Sequence, residues 1–147
     1  MNYTEATVGR IFILRLEHGD TLPDTIETFA QGKDLKSAVV WFIGGADKDS
    51  RVIVGPQDGS APKPIPVISC LPDVSEALAV GTIFTNEANI PKLHMHSAFG
   101  RGSETISGCT RAGVNIWQIG EAVILELMNS SAHRRIDPQT GFELLEV

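Results

Sequence analysis

Residues 38–43 read AVVWFI, an uninterrupted apolar run of mostly β-favouring side chains closed by Gly44-Gly45. With no polar residue to turn toward water, it predicts a central strand covered on both faces. Working outward, Arg51–Val54 (RVIV) follows the polar turn ADKDS and is expected to return antiparallel beside it. Upstream, Arg10–Leu16 (RIFILRL) reads as a first strand ended by Gly19-Asp20. Thr21 is expected to cap a helix in which Leu22, Ile26, Phe29 and Ala30 recur at helical spacing and Gly32 gives the stop.

Downstream, residues 55–66 (GPQDGSAPKPIP) are broken by Pro and Gly and predict a loop or an edge excursion within one domain. Val67–Leu71, Ala77–Thr85, Lys92–Phe99, Thr105–Thr110, Val114–Gln118 and Ala122–Met128 then read as short strands joined mostly by hairpins. The tail ends FELLEV, an added edge strand or an oligomer contact. One principal helix among many strands predicts an α+β fold, mainly an antiparallel sheet with that helix packed against it, as a single domain over residues 1–147.

Composition narrows the function classes. Twelve Lys and Arg stand against 18 Asp and Glu, a formal charge of −6, so the basic footprint of a nucleic-acid binder is missing and direct DNA binding is not expected. Cys70 and Cys109 are the only cysteines and lack CxxC spacing, which fits reduced thiols in a cytoplasmic location. No signal peptide or membrane-spanning apolar run is evident.

The chemistry concentrates in Lys92–Arg111, KLHMHSAFGRGSETISGCTR. On a strand His94 and His96 share a face, with Cα atoms about 6 to 7 Å apart, while Leu93, Met95 and Ser97 take the other. A hairpin turning at Arg101-Gly102 places Ser107 opposite His96 and Cys109 opposite His94, so the thiol joins the two imidazoles; a one-residue bulge sends it to the other side. Two histidines and a cysteine suit zinc, or another divalent metal, with a fourth position open for a small-molecule ligand, as a hydrolytic or Lewis-acid centre requires. The competing reading is a solvated HxH pair and a cysteine packed as a small apolar residue. Glu104 and Glu121 are the nearest acidic residues in sequence; Arg101 and Arg111 flank the proposed site as anion-binding candidates. His18 and His133 read as exposed, Cys70 as core, and Trp41 and Trp117 as core or subunit interface.

Gly9-Arg10 with the following ILRLEHGD, then FIGGADKDSRVIVG, HMHSAFGR, SGCTRAGVNIW and EAVILEL resemble, in order and spacing, the plants-and-prokaryotes-conserved (PPC) domain, particularly its stand-alone prokaryotic members. The resemblance spans roughly positions 9–128. It implies an antiparallel sheet with a packed helix, assembled as a homotrimer. It also implies a metal-site histidine pair at His94 and His96, with a third residue near the start of a later strand. Relatives often supply that third residue as histidine in a Gly-Gly-His-Leu type motif; here Cys109 holds the place, after Gly108. Plant relatives carry AT-hook segments, and the Arg-Gly-Arg-Pro core of such a segment does not occur in this sequence. Three functions therefore compete: a trimeric metal-binding protein of unestablished role, a metal-dependent hydrolase or lyase acting on a small molecule, and a non-catalytic ligand-binding or assembly module.

Overall fold

The computed structural model covers residues 1–147. In chain order the elements are β1 (Thr7–Glu17), β2 (Thr21–Leu22), α1 (Asp24–Gly32), β3 (Ser37–Ala46), β4 (Arg51–Pro56), β5 (Pro66–Cys70), β6 (Ser75–Thr85), β7 (Pro91–Arg101), β8 (Glu104–Cys109), β9 (Val114–Met128), β10 (His133–Ile136) and β11 (Glu143–Glu146). A short 3₁₀ turn, Thr110–Ala112, links β8 to β9. This is the expected antiparallel sheet with a single α-helix. Its strands run β1-β9-β3-β6-β7-β8-β4-β5, β2 adds a short pairing to β9, and β10–β11 form a separate ribbon.

The AVVWFI run is central, held by β9 on one side and β6 on the other. Its faces differ from expectation. Ala38, Val40 and Phe42 are buried in the core with Ile26 and Ala30 of α1, but Trp41 and Ile43 point outward and remain exposed on the single chain. Alternation continues across the sheet: Ile83, Met95 and Ile124 face the core, while Val80, His96 and Val123 face out.

Three local expectations are corrected. Thr21 does not cap α1; it pairs with Asn115 in the β2–β9 ladder, and Pro23 occupies the cap position. The segment 51–54 does not return beside β3 but joins β5 and β8, because the chain crosses to the far edge after the Asp47–Ser50 turn. The two strands expected at 114–118 and 122–128 are one strand, β9. A bulge interrupts it where pairing to β3 jumps from Gly44–Gly120 to Gly45–Trp117, and Gln118 takes a φ of 63° there. The apparent turn at Gly120 is that bulge. Cβ atoms would also collide here, since one built on Gly120 lies 2.6 Å from the Phe42 ring.

A second irregularity, in the β1–β9 register between Val8 and Ile11, is locked by charge. Glu126, buried in the sheet, accepts the Arg10 backbone N–H at 2.9 Å and the guanidinium at 2.8 and 2.6 Å. These Arg10 bonds hold the Glu126 carboxyl down at about 2 against the opposing effect of burial. The FELLEV tail supplies β11, paired with β10.

Candidate metal centre

Residues 91–101 form a strand whose buried side chains include Leu93, Met95 and Ser97, which fixes His94 and His96 on the outward face. Across the hairpin the register is displaced by two residues from expectation. The turn is Gly102-Ser103, with Gly102 at a φ of 59°, and Cys109 lies opposite His96 instead of His94. A shift of two preserves parity, so the thiol still shares the histidines' face. Cys109 is only 9% exposed. Its position is held by neighbours: Gly108 lets the β4 backbone at Ile53 approach closely, and the Thr110 hydroxyl donates to the Met95 carbonyl at 3.3 Å.

The two imidazole Nε2 atoms are 3.1 Å apart, the rings meeting edge to face at 78°. One donor atom from each of His94, His96 and Cys109 can be chosen so that all lie within 4.8 Å of one another. Tetrahedral zinc with ordinary bond lengths separates nitrogen donors by about 3.3 Å and a nitrogen–sulfur pair by about 3.6 Å, so the imidazole pair already has the required spacing. The donor set also fits chemically. Partial burial, with the positive charges of Arg134, His96 and Arg111, pushes the His94 imidazole down to about 4. A neutral ring offers a lone pair to a cation.

The surroundings sort the remaining candidates. Glu104 pairs across the turn with Arg101, and Glu121 lies in the β1–β9–β3 ladder opposite Arg15 and Ile43, so neither carboxylate joins the cluster. Arg101 is committed to Asp73 and the Val74 carbonyl. Arg111 follows Cys109 by two residues, and its charge is the smallest of those that lower the His94 imidazole. The unforeseen neighbour is Arg134. It is buried on β10, donates to Thr82 Oγ1 at 3.2 Å, and Thr82 is the cross-strand partner of His94. Its sequence signal was an Arg-Arg pair in a polar tail, which reads as solvated.

Other expectations divide. His18 is exposed and accepts the Gln118 N–H, whereas Cys70, expected in the core, is exposed at the end of β5 on the sheet edge. Trp41 and Trp117, expected in the core or at a subunit interface, are both partly exposed on the single chain, which removes the core alternative.

A profile of the Plants and Prokaryotes Conserved (PCC) domain, the family also abbreviated PPC, matches residues 3–128. Among solved structures, a metal-containing protein from Archaeoglobus fulgidus superposes with a TM-score of 0.85 at 26% identity, covering 100% of both chains. A plant- and prokaryote-conserved protein from Pyrococcus horikoshii gives 0.85 at 18% identity, covering 100% of this chain and 98% of that one. A Ralstonia eutropha protein with a provisional DNA-binding description gives 0.71 at 21% identity, covering 92% and 90%. No curated protein matches the chain.

Proposed function

The chain belongs to the Plants and Prokaryotes Conserved domain family, and from that premise we propose that it is a homotrimeric protein that holds a divalent metal, zinc foremost, through His94, His96 and Cys109. The observation that carries this reading is the convergence of two imidazole nitrogens and one thiol within 4.8 Å. The metal content of the A. fulgidus relative adds support. A bound zinc ion would supply Lewis acidity at an outward-facing position of the sheet. The chain's own residues would hold it: the histidines by their Nε2 lone pairs and Cys109 by its sulfur, with the Ser97–Gly108 pair next to them in the β7–β8 ladder.

Support for the trimer comes from the same face. One cross-strand row runs Ile13, Val123, Trp41, Val80, His96, Cys109. Its apolar members are uncovered on the single chain, with Ile13 84% and Val80 54% exposed and neighbouring Leu78 67%. An apolar sheet face of this extent marks an interaction surface. The metal cluster continues that row, which puts it beside a subunit boundary in the proposed assembly. A cytoplasmic location belongs to the same reading, supported by two unpaired cysteines; no helix is long and apolar enough to cross a membrane.

Non-catalytic ligand binding is the second reading. A groove of about 830 Å³ lined by Ile53, Val54, Leu78, Val80, His96 and Cys109 favours it. DNA contact forms no part of the proposal, because a net charge of −6 opposes a phosphate backbone.

The test is metal content in metal-replete protein, followed by cobalt substitution. One equivalent per chain and a thiolate-to-cobalt charge-transfer band are expected, with the band lost in Cys109→Ser and the metal lost in the His94→Ala, His96→Ala double variant. Metal-free wild type, or a band unchanged by Cys109→Ser, would sink the ligand set.

A further inference from the structure

Arg134 presents an unusual electrostatic situation. It is 4% exposed, yet it forms no ion pair. Its guanidinium donates only to neutral oxygens, Thr82 Oγ1 at 3.2 Å and the Thr82 and Lys92 carbonyls at 3.4 Å, with the Phe84 ring 5.9 Å away. Burial without a carboxylate partner leaves a cation poorly compensated, and the like charge of Arg111 adds to the burden; both push the Arg134 guanidinium below its ordinary range.

Arg111 is the second half of the arrangement. It follows Thr110, whose hydroxyl is tied to the Met95 carbonyl, and its exposed side chain makes neither an ion pair nor a hydrogen bond. Both arginines line one cleft of about 490 Å³ along the edge of β7, where Pro91–Met95 lie beyond the β8 pairing. Acidic side chains border the cleft but have other partners. Glu27 accepts from Lys92 Nζ at 3.1 Å and from the Leu93 N–H at 2.9 Å, Glu143 accepts from Asn86 Nδ2 at 3.2 Å, and Asp24 accepts from the Thr21 hydroxyl at 3.5 Å. Glu27 and Glu143 lend Arg134 some favourable field without touching it.

Thr82, which accepts from the Arg134 guanidinium, is the partner of His94 across the β6–β7 ladder, and Arg111 follows Cys109 by two residues, so the arginines and the cluster are joined through adjacent positions. We propose that Arg111 and Arg134 form a seat for the anionic group, carboxylate or phosphate, of a small molecule whose adjoining part reaches the His94–His96–Cys109 cluster. The unpartnered Arg111 guanidinium can donate a forked pair of hydrogen bonds to either oxyanion, and Arg134, whose Nε and Nη2 are taken by Lys92 and Thr82, has Nη1 free to join it. The cleft has the size of a small-molecule site, and the chain's net charge of −6 disfavours an extended polyanion. The arginine seat stands on its own contacts; the claim that its ligand also meets a metal rests on the ligand set proposed above.

Calorimetric titration of zinc-loaded protein at fixed ionic strength tests it, with inorganic phosphate and malonate as separate probes and zinc content measured in every sample. Wild type is expected to bind at least one probe, and the better one identifies the anion class. Arg111→Gln, at an exposed position, should fold normally, keep its zinc and bind that probe roughly tenfold more weakly, whereas Arg111→Lys should recover part of the loss. Arg134→Gln is read alongside after a thermal melt confirms folding. Binding of neither probe, or equal affinity in wild type and Arg111→Gln, overturns the seat. Arginine-dependent anion binding by a protein that takes up no zinc supports the seat and removes only the metal reading.

Discussion

Gly108→Ala tests how the thiol is positioned without touching any proposed ligand. A Cβ built at Gly108 overlaps the Ile53 carbonyl oxygen and lies 2.9 Å from both Ile53 C and Val52 Cγ1, whereas ordinary contact begins at 3.4 Å. The obstacle is largely backbone, so no side-chain rotation relieves it. β4 must withdraw by at least about 0.5 Å, and by more at the oxygen, against the buried Val52 that anchors it in the core. Overpacking of this kind costs about 1–3 kcal/mol. With a urea dependence of about 2 kcal/mol/M, the unfolding midpoint should fall by roughly 0.5–1.5 M. The only β4–β8 partner pair is Ile53–Cys109, so the same displacement loosens the cysteine while leaving its sulfur in the chain. Zinc affinity, measured by chelator competition on folded protein, should fall with the midpoint. An unchanged midpoint and unchanged zinc affinity would refute the close-approach argument; a lowered midpoint with unchanged affinity would refute the link from β4 to the site.

Two further outcomes are expected. Glu126 titrates at about 2 in the fold against an ordinary value of 4.5, so its contribution to stability is complete above about pH 4.5 and is lost as pH falls toward 2; Glu126→Gln should flatten the acid limb of a urea-midpoint profile across that window. Asp58 and Asp137, also lowered by local hydrogen bonds, remain in both proteins, so an unaltered limb would show that the Arg10 lock does not couple to folding. Leu78→Glu introduces a charge on the uncovered apolar face, where the side chain is 67% exposed, and should convert the proposed trimer to monomers by light scattering while leaving the far-ultraviolet spectrum intact; a trimer that survives it would place the interface elsewhere.

Much of the architecture was legible because burial writes itself into alternation. AVVWFI announced a central strand covered on both faces, and it is central, but the single chain covers only one of its faces. Nothing in the sequence separates a residue awaiting a second layer of the same chain from one awaiting another molecule, since both are removed from water in the end. The placement of RVIV failed for a different reason. A polar turn signals a reversal, not a partner, and the hydrogen bonds that send β4 to the β8 edge come from Leu71 and Gly113, distant in sequence. The break near Gly120 was visible as a loss of apolar character, but a bulge and a turn look alike when the deciding contact is a glycine against Phe42, with five strands between them in the sequence.

The site divides along the same line. Face-sharing by His94, His96 and Cys109 depends only on parity, which a hairpin with a two-residue turn preserves wherever the turn falls, so the trio survived an error of two in the register. Which histidine faces the thiol depends on the turn's position, and that was misplaced. Arg134 lay beyond this kind of reasoning altogether. In His133-Arg134-Arg135-Ile136, alternation requires the two arginines to face opposite ways, but the local sequence is indifferent to which one turns inward. The choice is made by the β10–β11 ribbon docking on β6, where Thr82 and Phe84 receive the Arg134 guanidinium and leave Arg135 to the exposed carboxylates of Glu87 and Glu146. A side-chain cluster built within one hairpin can therefore be inferred from spacing, whereas a charge brought to it by a returning tail becomes visible only when the tail has a place to land.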